Sequence, residues 1–159
     1  MPQIKPISHI INEINFPIDI DIPSILFSIV QYLKIEPHIE ISIKFVNDEE
    51  MTEYNKLYNG YAKSTDVLSF VGAVTNPQTG RLILGDILIN FPFIQKSAIE
   101  SNLNPQSELT LMVIHGTLHL LGYDHDTPEN KKSMWKIQND LLDMNNASSS
   151  KLEIEDEFI

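Results

Sequence analysis

The chain has no cysteine and a single arginine, Arg81, among its 159 residues. Without cysteine there is neither a disulfide framework nor a thiolate metal site, so any bound metal must be held by imidazole and carboxylate groups. Eleven Lys and Arg residues stand against 22 Asp and Glu residues, which gives a formal net charge of −11. Because non-specific nucleic-acid binding rests on cationic side chains, this balance argues against a protein that coats nucleic acid.

Long apolar runs are also missing from the sequence. No segment approaches the ~18 consecutive apolar residues that a membrane-spanning helix requires, so we expect no membrane partner. The N-terminus lacks the charged start, apolar block and small-residue cleavage site of a secretory signal, and we therefore expect a cytoplasmic protein. The length favours a single catalytic metal-binding domain, expected over 1–144. The polar and then acidic residues of 145–159 predict a flexible tail.

Hydrophobic periodicity predicts a mixed order of strands and helices. Segments with strand-like patterns and lengths are 3–14, 38–46, 66–71 and 82–89. Segments with helical patterns, several of them opened by an N-cap or proline, are 23–33, 48–58, 92–101, 105–121 and 128–143. Because strands and helices do not alternate regularly as βαβ units, the pattern predicts an α+β fold.

Three of the five histidines fall in the eleven residues HGTLHLLGYDH. His115 and His119 are four residues apart in a predicted helix, so their imidazoles lie on one face. Gly122 is expected to end this helix and to let His125 return towards the first pair. Three neutral donors leave one tetrahedral position open, which is typical of catalytic zinc, although nickel, copper and iron(II) also accept imidazole. The sequence therefore predicts one metal ion, best assigned as Zn²⁺, at these three histidines.

The spacing H-x-x-x-H-x-x-G-x-x-H is also found in the metzincin zinc peptidases. Those enzymes carry a glutamate directly after the first histidine as a general base, and this chain has Gly116 there. Glycine can neither take a proton nor orient water, so a peptidase of that mechanism is disfavoured. We expect Gly116 instead to let another element pack closely against the helix.

The same segment resembles the H-G-x-L-H-L-x-G-Y-D-H signature of the YbeY family, which are bacterial endoribonucleases of rRNA maturation. Upstream, residues 64–70 look like the family's T-D-V-L-S-F strand, and residues 84–87 are similar to its L-G-D-I strand. The resemblance covers roughly residues 3–142. It implies a mixed, mainly four-stranded sheet packed with about five helices, and a zinc site at the end of a central helix with the three clustered histidines as ligands.

The resemblance also implies a function. The expected activity is metal-dependent cleavage of single-stranded RNA, used in maturing rRNA, notably the 3′ end of the small-subunit rRNA, and in ribosome quality control. The expected partners are single-stranded rRNA, the small ribosomal subunit and its assembly factors. Two alternatives stay open, namely a non-catalytic zinc-containing ribosome-assembly factor and a zinc peptidase.

One position departs from the family pattern. Where the family often carries arginine ahead of its T-D-V-L-S-F strand, this chain has Asn59, which offers neutral hydrogen bonds instead of a cationic fork. We expect Lys63 or Lys56 to neutralise the charge that develops on the phosphodiester instead.

Two further groups of residues complete the sequence-based interpretation. Asp124, beside the third histidine, is expected to orient a ligand imidazole or to accept a proton. The predicted catalytic residues are therefore His115, Lys63 and Asp124. The last helix carries Lys131, Lys132 and Lys136, and a lysine group of this kind is ordinarily a solvated helix face. On so acidic a chain, these lysines are also the best candidate for a small rRNA-facing patch.

Overall fold

The computed structural model describes residues 3–147, which contain four strands and five helices. The strands are β1 (Ile7–Ile11), β2 (Ile39–Val46), β3 (Val67–Thr75) and β4 (Leu82–Asn90). The helices are α1 (Ile22–Leu33), α2 (Asp48–Asn59), α3 (Phe91–Glu100), α4 (Pro105–Leu120) and α5 (Pro128–Met144). Every helix is preceded by a side chain that accepts a hydrogen bond from its first turn, in order Asp21, Asn47, Asn90, Asn104 and Thr127. Such caps fix where each helix begins.

The four strands form one mixed sheet in the order β1-β2-β4-β3. β2 pairs in parallel with both β1 and β4, whereas β3 pairs antiparallel with β4. Parallel neighbours need long crossovers, and the chain provides them with α1 and with the segment that contains α2 and β3. The predicted α+β class, with a mixed four-stranded sheet and five helices, is confirmed.

The two faces of the sheet are covered by different helices. The alternating apolar residues of β2 lie in the main core together with residues of α1, α3, α4 and α5. The opposite face carries a smaller cluster in which Val46 and Leu88 pack with Met51 of α2. Because successive strand residues point to opposite faces, α2 and α4 lie on different sides of the sheet.

α4 is the central helix, and nearly all of its length is buried. A Cβ atom placed on its Gly116 would lie 3.0 Å from Cγ2 of Ile87 and 3.2 Å from Oγ of Ser69. Both distances are tighter than ordinary van der Waals contact, so glycine lets α4 approach β3 and β4 this closely without displacing these two side chains. The predicted packing role of Gly116 is confirmed.

Two strands end at different residues from those predicted. β1 stops at Ile11, because the Asn12 side chain accepts from the backbone N–H of Phe16 at 2.9 Å and closes a turn. β3 continues to Thr75 through an irregularity in its pairing, where Ala73 has a φ of 54°. This bulge restores the pairing with β4 beyond the point at which the sequence pattern weakens.

The chain is packed as far as the last described residue. Ala147 is 7% exposed and belongs to the main core, and the Asn145 side chain donates to Oγ of Ser28 at 2.9 Å. The rest of the predicted tail, from 148 onward, lies outside the described residues. Between residues 3 and 147, the structure contains no helix that is long and apolar enough to cross a membrane.

Candidate metal centre

The three predicted histidines come together at the end of α4. Their potential ligand nitrogens all lie within 4.8 Å of one another. The Nε2 atoms of His115 and His119 are 2.9 Å apart. The ring centroid of His125 lies 5.7 Å from that of His115 and 5.2 Å from that of His119. His125, in the loop after α4, therefore completes a cluster whose other two members lie on the helix.

A tight turn after α4 carries the third histidine back towards the helix. The backbone N–H groups of Gly122 and Tyr123 donate to carbonyls in the last turn of α4, each at 3.0 Å. Gly122 has a φ of 97°, in the left-handed region that favours glycine, so the predicted helix stop is confirmed. Asp124 then accepts the backbone N–H of His125 through Oδ1 at 2.7 Å, which holds this candidate ligand in place.

Two oxygen atoms orient the paired helix imidazoles. Nδ1 of His115 lies 2.7 Å from Oε1 of Gln138 on α5, and Nδ1 of His119 lies 3.0 Å from the carbonyl oxygen of Tyr123. Because these oxygens accept, each Nδ1 carries the proton and each Nε2 carries the lone pair. Two lone pairs that face each other across 2.9 Å repel, and a cation between them removes that repulsion.

Burial keeps His115 and His119 in the neutral form that binds metal. His115 is 3% exposed, and burial lowers its pKa to about 3, with His119 acting in the same direction and the hydrogen bond to Gln138 opposing it. Burial also lowers the pKa of His119, and the nearby His125 adds to this effect. Both helix imidazoles are therefore neutral at pH 7 and keep a lone pair for a metal.

The donor set fits a divalent transition metal. Nε2 of His125 is buried and has no hydrogen-bond partner among residues 3–147. A tetrahedral zinc ion at 2.0–2.1 Å from each imidazole would separate the nitrogens by about 3.3 Å. That value lies between the shortest separation, 2.9 Å, and the 4.8 Å limit of the cluster. These three residues can hold a metal ion, and the acceptors behind two of them match the outer shell that such sites use.

Of the other predicted catalytic residues, Asp124 is the sequence neighbour of His125, and Lys63 lies in the loop after α2. Asp124 is exposed and bonded to the backbone of a candidate ligand. The carbonyl of Lys63 accepts from Nδ2 of Asn55 in α2 at 2.8 Å, and Asn59 donates to Oδ1 of Asn55 at 2.9 Å. Throughout the described part of the chain, no hydrogen bond or ion pair joins Lys63 to the histidines. Asn59 therefore braces the end of α2 and its loop.

The sequence-based interpretation missed Gln138, which holds His115. Gln138 is 1% exposed and lies four residues after Met134 and three before Leu141, on the buried face of α5. A polar residue in the middle of an otherwise apolar helix face was the available signal, because a buried amide needs a partner. The second acceptor, the backbone carbonyl of Tyr123, has no signal in the sequence.

Fold and site together define a single-sheet α+β protein with a candidate three-histidine metal centre at the end of a buried helix. The profile of the family described as Endoribonuclease YbeY matches residues 10–146. This chain belongs to that family, and the resemblance found in the sequence is confirmed.

Individual relatives agree with the family profile. The Endoribonuclease YbeY of Persephonella marina is 38% identical over 116 residues, which cover 72% of this chain and 75% of the relative. That of Halalkalibacterium halodurans is 38% identical over 130 residues, covering 76% of this chain and 82% of the relative. The solution structure of a Thermotoga maritima protein has a TM-score of 0.61 and 27% identity, covering 86% of this chain and 87% of that one.

Proposed function

We propose that this chain is a zinc-dependent endoribonuclease that cleaves single-stranded rRNA in the cytoplasm. Its proposed roles are maturation of the 3′ end of the small-subunit rRNA and ribosome quality control. The nuclease activity follows from membership of the Endoribonuclease YbeY family. The single observation that carries metal dependence is the histidine cluster, in which two Nε2 atoms face each other at 2.9 Å. The small ribosomal subunit and its assembly factors are the proposed partners.

The proposed ligands are His115, His119 and His125. A zinc ion bound to them would supply Lewis-acid stabilisation of the charge on the scissile phosphodiester. Gln138 and the Tyr123 carbonyl keep the two helix imidazoles turned so that their Nε2 lone pairs converge. The close packing of α4 against the sheet fixes the backbone from which both rings project.

Asp124 and Lys63 are proposed to assist the reaction. Asp124 is exposed and adjoins His125 in the sequence, which supports the proposal that its carboxylate accepts a proton from water or from the RNA. Lys63 in the loop after α2, or Lys56 in the last turn of that helix, would neutralise phosphate charge. A lysine acts there as a point charge, without the fixed fork of an arginine.

Metal content and RNA cleavage should be measured together on matched variants. We expect about one zinc per chain and cleavage of single-stranded RNA by the native protein. The double variant His115→Ala/His119→Ala should lose both, whereas His9→Ala, which removes a histidine outside the cluster, should keep both. Retained cleavage in the double variant would contradict the proposal.

Two further assays on the same protein, of small-subunit association and of peptide cleavage, separate the alternatives. Association of the native protein with the small subunit, with bound zinc but without RNA cleavage, would favour the non-catalytic assembly factor. Cleavage of an unstructured peptide in place of RNA would favour the zinc peptidase.

A further inference from the structure

A cleft of about 900 Å³ borders the candidate metal centre along the start of α5. Its lining includes the candidate ligand His125, and from α5 the side chains of Lys131, Lys132, Trp135 and Lys136. The cleft is therefore continuous with the metal centre. Its volume lies at the upper end of the ~300–1,000 Å³ of ligand sites, so it is larger than a single small anion requires.

The lining gathers cationic charge on an otherwise acidic chain. Three of the eleven basic residues line the cleft, together with two acids, Asp126 and Asp140. Asp140 is neutralised by its ion pair with Lys136 at 2.9 Å, whereas Asp126 accepts from the neutral amide of Asn130 at 2.8 Å and keeps its charge, so the lining side chains carry a formal charge of +1. The N-terminus of α5 adds partial positive charge on the same side. The cleft thus favours an anion although the chain as a whole carries −11.

An aromatic wall holds one of these lysines over the cleft. Nζ of Lys131 lies 4.6 Å from the centroid of the Trp135 ring, a cation–π contact. Trp135 is 4% exposed, and its Nε1 has no hydrogen-bond partner among residues 3–147. The ring is therefore buried beneath Lys131 and supports its ammonium group through the cation–π contact.

We propose that this cleft binds the stretch of single-stranded RNA that adjoins the scissile phosphodiester, with Lys131 and Lys132 contacting its phosphates. The inference rests on the proposed function, because it takes RNA as the substrate of the metal centre. RNA is favoured over an acidic protein because a polynucleotide that crosses the metal must continue past His125, which itself lines the cleft.

Trp135 is the only tryptophan of the chain, so its fluorescence reports on this cleft alone. We would titrate the zinc-loaded protein with a 2′-O-methyl oligouridylate octamer at several salt concentrations. The test variant is Lys131→Glu/Lys132→Glu. The control is Lys34→Glu/Lys96→Glu, which changes the net charge equally at positions that do not line the cleft.

We expect the octamer to change Trp135 fluorescence saturably in the native and control proteins. In the test variant, affinity should fall severalfold, and the slope of log affinity against log salt should flatten by about 0.7 for each lost phosphate contact, or about 1.4 for the pair. Circular dichroism establishes that the test variant is folded. Equal affinity and equal salt slope in the test and control variants would overturn the proposal. Equally tight binding of a polyglutamate peptide would overturn the assignment of RNA as the occupant.

RNA cleavage by the native protein judges the proposed function separately. If the native protein cleaves RNA and the test variant binds the octamer as tightly as the native protein does, the proposed function is supported and the RNA-binding role of the cleft is rejected. If octamer binding depends on the two lysines but the native protein does not cleave RNA, the cleft is supported as an RNA-binding site and the proposed nuclease function is rejected.

Discussion

Gln138→Leu removes the oxygen atom that orients the imidazole of His115, a candidate metal ligand. In the native protein Oε1 of Gln138 lies 2.7 Å from Nδ1 of His115, so the proton is on Nδ1 and the lone pair is on Nε2. Leucine has a similar volume and no acceptor. In the variant, metal binding leaves a buried N–H of His115 without a partner.

The expected loss can be worked from this geometry. Removing an acceptor behind a ligand histidine typically costs 10–100-fold in metal affinity, which is about 1.4–2.7 kcal/mol. The metal-free variant escapes most of this cost, because Nε2 of His115 can carry the proton and donate to Nε2 of His119 at 2.9 Å. We therefore expect its free energy of unfolding to fall by less than about 1 kcal/mol. The variant should thus be weakened chiefly in its response to metal.

Zinc affinity from competition with a chelator, and urea unfolding with and without zinc, measure the two effects. Gln31→Leu, on the exposed surface of α1, is the matched control and should change neither quantity. Gln138→Glu keeps an acceptor and should recover affinity relative to leucine. If the leucine variant binds zinc as tightly as the native protein, or loses the same stability with and without zinc, the reasoning on Gln138 is refuted.

Three further predictions concern the scaffold and can be checked by urea unfolding. Gly116→Ala should lower the free energy of unfolding by about 1 kcal/mol, because overpacking against Ile87 at 3.0 Å exceeds the gain in helix propensity. Asn90→Ala should cost about 2–4 kcal/mol, because a fully buried amide that caps α3 and donates to three oxygens is lost. The hydrogen bond from Asn76 holds the pKa of Glu40 below its ordinary 4.5, so Glu40 stabilises the fold above that pH and loses this contribution as the pH falls. Glu40→Gln should therefore flatten the decline of stability below pH 4.5, whereas an equal decline in both proteins would contradict this.

Elements with strong local signals were predictable from the sequence. The start of α4 is set by Asn104 and Pro105, and its end by Gly122, all of which act on neighbouring backbone groups. The ends of β1 and β3 were not predictable in this way. They depend on a side-chain bond from Asn12 across four residues and on a bulge that forms only against β4.

The distinction between local signals and contacts that form only in the folded structure also applies to the candidate site. His115, His119 and His125 were found because one helical turn and one tight turn bring them together. Gln138 meets His115 from 23 residues away, a contact set by how α5 packs on α4. The sequence predicts Lys63 in the site because it is a nearby cation, whereas in the structure its carbonyl accepts a hydrogen bond from α2. Its catalytic role stays a prediction.

The position of the chain's single arginine limits which residues can supply positive charge for RNA binding. Nη1 of Arg81 donates to the carbonyls of Lys5 at 2.8 Å and Ile39 at 3.2 Å, so the guanidinium joins the starts of neighbouring strands. This residue is therefore tied to the scaffold through Nη1, and a chain of net charge −11 repels RNA at long range. Attraction has to be local, from a metal at the histidines and from lysines beside it. Because few phosphates can be contacted in this way, the affinity should depend only shallowly on salt, with a slope near 0.7 per contact.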